Sequence, residues 1–237
     1  MLEQRERVIG VIGGSGLYDI PGLTNTRWQR IQTPFGEPSD ALLFGELAGQ
    51  SIVFLPRHGR GHQIPPSELN YRANIAALKM AGATEVLSVS AVGSLSPDLP
   101  PGSLVVVDQF IDRTVGRARS FFGKGLVAHV SMAQPVCARL GSVIATAAER
   151  MAISLTRGGT YIVIEGPQFS TAAESQLYRQ WGGDVIGMTN LPEARLAREA
   201  ELCYATVATV TDYDCWHPEH DHVTVDAVVK ALQTNAD

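Results

Sequence analysis

Val8 to Gly14 reads VIGVIGG, a short apolar run that ends in glycines. Such a run reads as a buried strand entering a tight loop: unbroken apolar character implies cover on both faces, and glycine lets the chain turn sharply. The loop continues as Gly13-Gly14-Ser15-Gly16. It is not a dinucleotide fingerprint, because Gly14-x-Gly16 is followed by Leu17, Tyr18 and Asp19 instead of a third glycine. Nor does it hold the lysine of a P-loop. Two readings stay open: a structural turn, or a loop whose backbone N–H groups and Ser15 hydroxyl approach an anion.

Outward from that strand, strands and helices alternate. Ala41 to Leu47 and Ser51 to Leu55 flank a turn at Gly49 and predict a hairpin. A helix is expected from Ser67, which can cap it, with Leu69, Ala73, Ala76 and Met80 on one face and Gly82 at its end. Glu85 to Ala91 (EVLSVSA) and Leu104 to Phe110 (LVVVDQF) are strand-like, with Pro97, Pro100, Pro101 and Gly102 in the loop between them. Val136, Leu140, Val143, Ile144 and Ala147 make one face of another helix. Tyr161 to Glu165 predicts a strand, Thr171 to Trp181 a helix, and Asp184 to Met188 a strand. Pro192 to Ala200 predicts a helix with proline in its permitted first turn. Cys203 to Thr211 (CYATVATVT) is a long β-branched strand, and a final helix is expected from Val223 to Leu232. The alternation implies an α/β fold: a mixed, mostly parallel β-sheet flanked by helices. No repeat, linker or low-complexity stretch divides residues 1–237, so one domain is expected.

The bulk composition excludes several classes. Among 237 residues, 45% are hydrophobic and 18% charged, an ordinary globular balance. A net charge of −5 speaks against nucleic acid as a partner, since phosphate backbones need concentrated Lys and Arg. Cys137, Cys203 and Cys215 are few, odd in number and widely spaced, which fits a reduced, cytoplasmic protein. MLEQRERVIG lacks the apolar centre of a secretory leader. No apolar run approaches the roughly 20 residues that span a bilayer, so no membrane partner is expected.

In α/β sheets ligands bind where strands end in loops, and the unusual residues of this chain stand at those ends. Arg57-His58-Gly59-Arg60-Gly61-His62 follows the strand Ser51 to Leu55. Arginine offers a planar fork suited to phosphate, histidine can donate or carry charge, and the glycines allow close backbone approach. Ser90-Ala91-Val92-Gly93-Ser94 and Met188-Thr189-Asn190 end two further strands in small or hydroxylated residues. Thr211-Asp212-Tyr213-Asp214 closes the strand from Cys203. Carboxyls placed there acquire raised pKa values when desolvated, which suits general-acid work; capping a turn is the plainer alternative. His217, His220, Asp221 and His222 have a spacing that can bind zinc, but Pro218 and Glu219 mark an exposed loop, and no metal is assigned.

Taken together these segments resemble the trimeric purine nucleoside phosphorylase family, in particular its 5′-methylthioadenosine branch. The resemblance is carried by IGVIGGSGLYD (Ile9 to Asp19), TPFGEPSDAL (Thr33 to Leu42), RHGRGH (Arg57 to His62) and PPSELNYRANIAALK (Pro65 to Lys79). SAVGSL (Ser90 to Leu95), DQFIDRT (Asp108 to Thr114), EGPQFSTAAES (Glu165 to Ser175), MTNLPEARLAREA (Met188 to Ala200) and TDYDCW (Thr211 to Trp216) follow in the family's order. The resemblance implies a pentosyltransferase that uses inorganic phosphate as co-substrate and no cofactor. It further implies that Ser15, Arg57, His58, Ala91 and Thr189 hold phosphate, and that Ser90 and Met188 lie at the sugar. Phe169 and Ser170 would contact the purine, with Asp212 and Asp214 as the catalytic carboxyls facing the base. Val223, Val225, Val228 and Val229 would line an apolar 5′ pocket. The implied assembly is a homotrimer in which His129, within AHVSMAQP, reaches a neighbouring subunit's site.

The chain departs from the family pattern at Gln168, where arginine is usual, and in a shortened loop from Lys124 to His129. It ends at Asp237, before a typical terminal helix would finish. Two rivals are a phosphorylase of 6-oxopurine nucleosides or methylthioinosine, which places asparagine where Asp212 stands, and a non-catalytic purine or phosphate binder.

Overall fold

The computed structural model describes residues 7–14 and 20–218. Ser15 and the predicted helix from Val223 to Leu232 lie outside the described residues. The apolar run that opens the sequence forms β1 (Val8–Gly13), and its neighbours explain its composition. It lies between β4 (Gln50–Pro56) and β5 (Ala83–Ser94), parallel to both. Alternate side chains serve two separate apolar layers. Ile12 packs with Val53 and Leu55 on one face, and Val11 packs with Ile52 and Phe54 on the other.

β3 (Leu42–Leu47) pairs antiparallel with β4 through Ala48 and Gly49, at φ 49° and 78°. Positive φ at both turn residues is what a tight two-residue hairpin requires, and glycine meets it without strain. β2 (Thr24–Gln29) adds an exposed edge strand beside β3.

On its other side β5 pairs in parallel with β11 (Cys203–Asp212), from Glu85 opposite Cys203 to Val92 opposite Val210. The far end of β5 meets β10 (Val185–Gly187) antiparallel, and β9 (Thr160–Ile164) and β7 (Gln109–Arg113) continue parallel to β10. β6 (Leu104–Val106) pairs antiparallel with β11 and parallel with β8 (Leu155–Arg157). Among the described residues these strands form one mixed, eleven-stranded sheet.

α1 (Tyr71–Met80) and α4 (Asn190–Glu199) pack together against β5 and β11, where Ile75, Leu78, Leu196 and Ala197 enter the largest apolar core. α2 (Ala138–Arg150) covers β11, β6 and β8. α3 (Ala172–Gln180) contributes Tyr178 to a core with Leu95, Ile162 and Ile186. The expected α/β architecture is therefore present, and among the described residues no helix is long and apolar enough to cross a membrane.

Several local expectations are corrected. Asn70, not Ser67, caps α1: its side chain accepts from the Ala73 N–H, while Leu69 is still extended at ψ 132°. The single strand expected over Leu104 to Phe110 is two, β6 and β7. The chain turns between them where Asp108 accepts from the Gly159 N–H, and its own N–H and that of Gln109 donate to the Gly159 carbonyl. On α2 the buried residues are Leu140, Gly141, Ala145 and Ala148, and Val143 faces outward. In α4 Leu191 is non-helical, so regular helix begins at Pro192 as proposed from its proline.

The cysteines also depart from expectation. Cys137 and Cys203 form a disulfide with Cα atoms 5.3 Å apart, tying the start of α2 to the start of β11, and only Cys215 is free among the described residues. The bond closes a segment of 66 residues. In the chain-entropy description a closure of that length stabilises the fold by about 4 kcal/mol. Reduction should therefore move the urea midpoint down for the wild type and leave a Cys137→Ser, Cys203→Ser variant unmoved. An unchanged wild-type midpoint would show that the bond contributes nothing.

Candidate functional site

Because β1, β4, β5 and β11 run parallel, their C-terminal ends open on one edge of the sheet. Gly13, Arg57, the Ser90–Ser94 stretch and Asp212 arrive there together, and the Arg57 N–H donates to the Gly13 carbonyl at 2.9 Å. β10 brings Met188 and Thr189 to the same edge from the opposite direction.

Arg57 is only 2% exposed, and its guanidinium turns inward. Nε and Nη2 donate to the two Glu193 carboxylate oxygens at 2.9 and 3.1 Å. Nη2 also reaches Ser88 Oγ at 2.7 Å and the Ile12 carbonyl at 3.4 Å, and Nη1 donates to the Val89 carbonyl at 2.8 Å. Glu193 in turn accepts from Ser88 Oγ and Tyr204 Oη, both at 2.8 Å. A guanidinium has five N–H donors, so these contacts leave one Nη1 hydrogen to spare among the described residues. Sequence patterning marks Arg57 but gives no hint of Glu193, which sits on α4 136 residues away.

His58 is buried beside it, and its Nδ1 lies 2.9 Å from the Ile64 carbonyl oxygen. A carbonyl only accepts, so Nδ1 carries the hydrogen and Nε2 is left as an acceptor. Burial, reinforced by the Arg57 charge, pushes the His58 pKa down to about 4. The ring is neutral at physiological pH, so the charge expected at this position rests on Arg57 alone.

Ser90 Oγ lies 3.1 Å from both Thr189 Oγ1 and Tyr161 Oη, so β5, β9 and the exit of β10 meet in one buried hydroxyl cluster. Tyr161 has no sequence signature, yet a Cβ on Gly187 would overlap its hydroxyl, which explains the glycine. Ala91, next along β5, is half-buried opposite Thr209 of β11. Met188 is half-buried, and its carbonyl accepts from Tyr71 Oη and Arg117 Nη1.

Phe169 and Ser170 follow β9 in the loop before α3. The Phe169 ring is 45% exposed, unlike a core aromatic, and Ser170 Oγ is buried without a hydrogen-bond partner among the described residues. Buried polar atoms are nearly always paired, so an unpaired hydroxyl marks a place where a ligand can supply the partner.

The two carboxyls close β11. Asp212 accepts from Thr211 Oγ1 at 2.7 Å and from the Asp214 N–H at 2.8 Å. Gly93 of β5 lies directly beneath: a Cβ there would stand 2.8 Å from Asp212 Oδ1 and 3.3 Å from Asp214 Cβ. Burial raises the pKa of both acids, and for Asp212 the two hydrogen bonds only partly offset it. The charge of Asp212 adds to the rise at Asp214. Asp214 lies at φ 53°, a left-handed conformation that Asp tolerates better than most side chains. Cys215 Sγ donates to the Ser170 carbonyl at 3.3 Å, so the acid loop touches the Phe169–Ser170 loop.

His129 is exposed and does not join this edge. Its neighbours Ala128 and Val130 line a cleft with Cys203 and Tyr204 at the start of β11. Asp212 ends that ten-residue strand, a rise of about 30 Å away. Ser15, Val223, Val225, Val228 and Val229 lie outside the described residues, as do His220, Asp221 and His222.

The Arg57–Glu193 pair carries a direct consequence. Arg57→Ala leaves a carboxylate buried without its cation and should destabilise the fold by about 3–5 kcal/mol, seen as a lower urea midpoint. Arg57→Ala combined with Glu193→Leu should recover part of that loss. Equal midpoints for wild type and single variant would mean that the pair does not hold this edge.

The sequence model of the phosphorylase superfamily matches residues 8–237. The S-methyl-5′-thioadenosine phosphorylase of Rhodospirillum rubrum is 66% identical over 233 residues, which cover 98% of this chain and 79% of that protein. The enzyme of the same name from Bradyrhizobium diazoefficiens is 59% identical, covering 98% and 80%. Among solved structures, a methylthioadenosine phosphorylase from an Antarctic soil metagenomic library superposes with a TM-score of 0.93 at 51% identity, over 98% of this chain and 82% of that one. Methylthioadenosine phosphorylase from Schistosoma mansoni in complex with adenine gives 0.93 at 41% identity, over 97% and 87%. This chain is therefore a member of the phosphorylase superfamily.

Proposed function

We propose that this chain cleaves 5′-methylthioadenosine with inorganic phosphate, releasing adenine and 5-methylthioribose 1-phosphate. It is a pentosyltransferase reaction of purine and methionine salvage, with phosphate as co-substrate and no cofactor. The observation that carries the reading is the burial-raised carboxyl pair of Asp212 and Asp214, set on the same sheet edge as the Ser90–Thr189 hydroxyl pair. The 66% identity to a relative of that name supports the same substrate.

The reaction breaks the C1′–N9 bond and forms a bond from C1′ to a phosphate oxygen, through a state that is positive at the sugar. A phosphate held by Ser15, Arg57, His58, Ala91 and Thr189 both stabilises that charge and acts as nucleophile. The bare Nε2 of neutral His58 suits a phosphate oxygen that carries a proton, while the spare Arg57 Nη1 hydrogen suits one that does not. Phe169 offers its exposed ring to the purine, and Ser170 its unpaired hydroxyl. Asp212 gives its proton to N7, so the base leaves neutral. Met188 contacts the ribose, and Val223, Val225, Val228 and Val229 provide the dry slot for the 5′ thioether.

The working assembly is a cytoplasmic homotrimer in which His129 enters a neighbour's site. In support, Leu126 and Val127 beside His129 are 66% and 72% exposed, apolar side chains that a second copy would cover. Mass measurement in solution should give three chains. A fully active monomer would exclude the role of His129 in trans.

Base preference tests the acid directly. Adenine offers an acceptor at N7 and a donor at its amino group, which a protonated Asp212 can satisfy together. A 6-oxo base opposes its oxygen to a carboxyl oxygen, at roughly 1–3 kcal/mol per unmet group, so tenfold to hundredfold discrimination is expected. Asp212→Asn should lower kcat/KM for methylthioadenosine by about 10²–10⁴-fold. It should also raise that for methylthioinosine. Phosphate-dependent release from methylthioadenosine, adenosine, methylthioinosine and inosine, side by side, decides the substrate. Preference for a 6-oxopurine would overturn the substrate and keep the chemistry, and binding without turnover would leave only a purine or phosphate binder.

A further inference from the structure

Arg117 lies in the segment between β7 and α2, takes no part in the chemistry above, and yet has a side chain only 2% exposed. Its guanidinium is surrounded by acceptors. Nε donates to Glu165 Oε1 at 2.9 Å, and Nη2 donates to the carbonyls of Glu165 at 2.7 Å and Ile164 at 3.3 Å. Nη1 donates to the carbonyls of Met188 at 2.6 Å and Leu191 at 2.7 Å, and to Tyr71 Oη at 2.8 Å. Glu165 closes the grip with its other oxygen, which accepts from the N–H groups of Val115 and Gly116 beside Arg117 itself.

Apart from Tyr71 on α1, these acceptors fall on two stretches that leave the sheet side by side. Ile164 ends β9 and Glu165 leads on toward Phe169 and Ser170, while Met188 and Leu191 flank Thr189 beyond β10. The stretches touch where Gly166, at φ 66°, has Met188 Sδ in the place a Cβ would need. A buried cation must keep its acceptors or lose heavily, so Arg117 fixes both stretches at once. Arg57 and His58 are held by other partners, Glu193 and the Ile64 carbonyl, and Thr189 has its own tie to Ser90.

We infer that Arg117 is a positioning residue for the nucleoside: by fastening Glu165 and the Met188 carbonyl, it sets the width of the slot between Phe169 and Met188. The inference rests on the function proposed above and adds a residue through which nucleoside affinity is separated from phosphate affinity.

Arg117→Lys keeps the charge but replaces a planar fork with a single ammonium, which cannot span both stretches. The KM for methylthioadenosine should rise about tenfold or more, with the KM for phosphate held within about twofold. A folded variant with an unchanged nucleoside KM would overturn the proposal. So would a parallel rise of both KM values together with a lower urea midpoint, which is the mark of general loosening. Should Arg117→Lys not fold, Glu165→Gln carries the test, since it weakens the grip and leaves the carbonyl contacts. A raised nucleoside KM with phosphate unmoved supports positioning, and two unmoved values refute it. If the wild type shows no phosphorolysis, the function itself has failed. Calorimetric titration with adenine then tests Arg117 alone: weaker binding by Arg117→Lys supports it, and equal binding refutes it.

Discussion

The burial of Arg57 against Glu193 governs the geometry of the sheet edge. A guanidinium and a carboxylate removed from water are costly unless every remaining donor and acceptor is met. Here Ser88, Tyr204 and the carbonyls of Ile12 and Val89 meet all but one Nη1 hydrogen, so the exits of β1 and β4, the middle of β5, the body of β11 and α4 share one network. Asn190 extends it by donating to Ser88 Oγ at 3.2 Å. None of these groups can shift alone. The site's cation is thereby fixed before any ligand arrives, which is the condition under which a fixed charge lowers a barrier without reorganising.

On that frame the acid end is set by register. β11 and β5 run parallel through Val210 opposite Val92, and a shift in register then brings Asp212 over Gly93. A larger residue at 93 would displace the carboxyl. The same burial that raises the two aspartate pKa values favours their protonated forms, as the proposed proton delivery requires. Hydroxyls from β5, β9 and the exit of β10 gather in one cluster at Ser90, Tyr161 and Thr189. One edge of the sheet therefore presents a fixed cation, neutral donors and acceptors, and a carboxyl disposed to hold a proton.

Much of this was legible in the sequence, for a physical reason. Strands covered on both faces write themselves as continuous apolar runs, so β1, β4, β5, β9 and β11 stand out, and strand ends carry ligands in such sheets. Arg57, Ser90, Thr189 and Asp212 were visible as exceptions at those ends. β2 was not, because TNTRWQ is exposed along its whole length and shows no apolar alternation. β8 spans three residues, too few to show a period. Glu193, Tyr161 and Arg117 stayed hidden because their roles come from contacts between distant parts of the chain. Glu193 reads as an ordinary helix-surface acid, and Arg117 as one more loop cation. The Cys137–Cys203 bond was hidden likewise, since only the fold brings the two residues together.

The proposed chemistry depends on Asp212 holding a proton more tightly than an exposed aspartate does. Carboxyl carbon NMR across a pH titration, with Asp212→Asn and Asp214→Asn to assign the two signals, reads that property without turnover. Burial at the end of β11 predicts apparent pKa values for the pair above the ordinary value of about 3.9. It also predicts that the remaining aspartate titrates at lower pH once its neighbour's charge is removed, an effect expected most clearly at Asp214. A signal for Asp212 at or below the ordinary value would contradict the burial-raised acid and, with it, proton delivery to the leaving base.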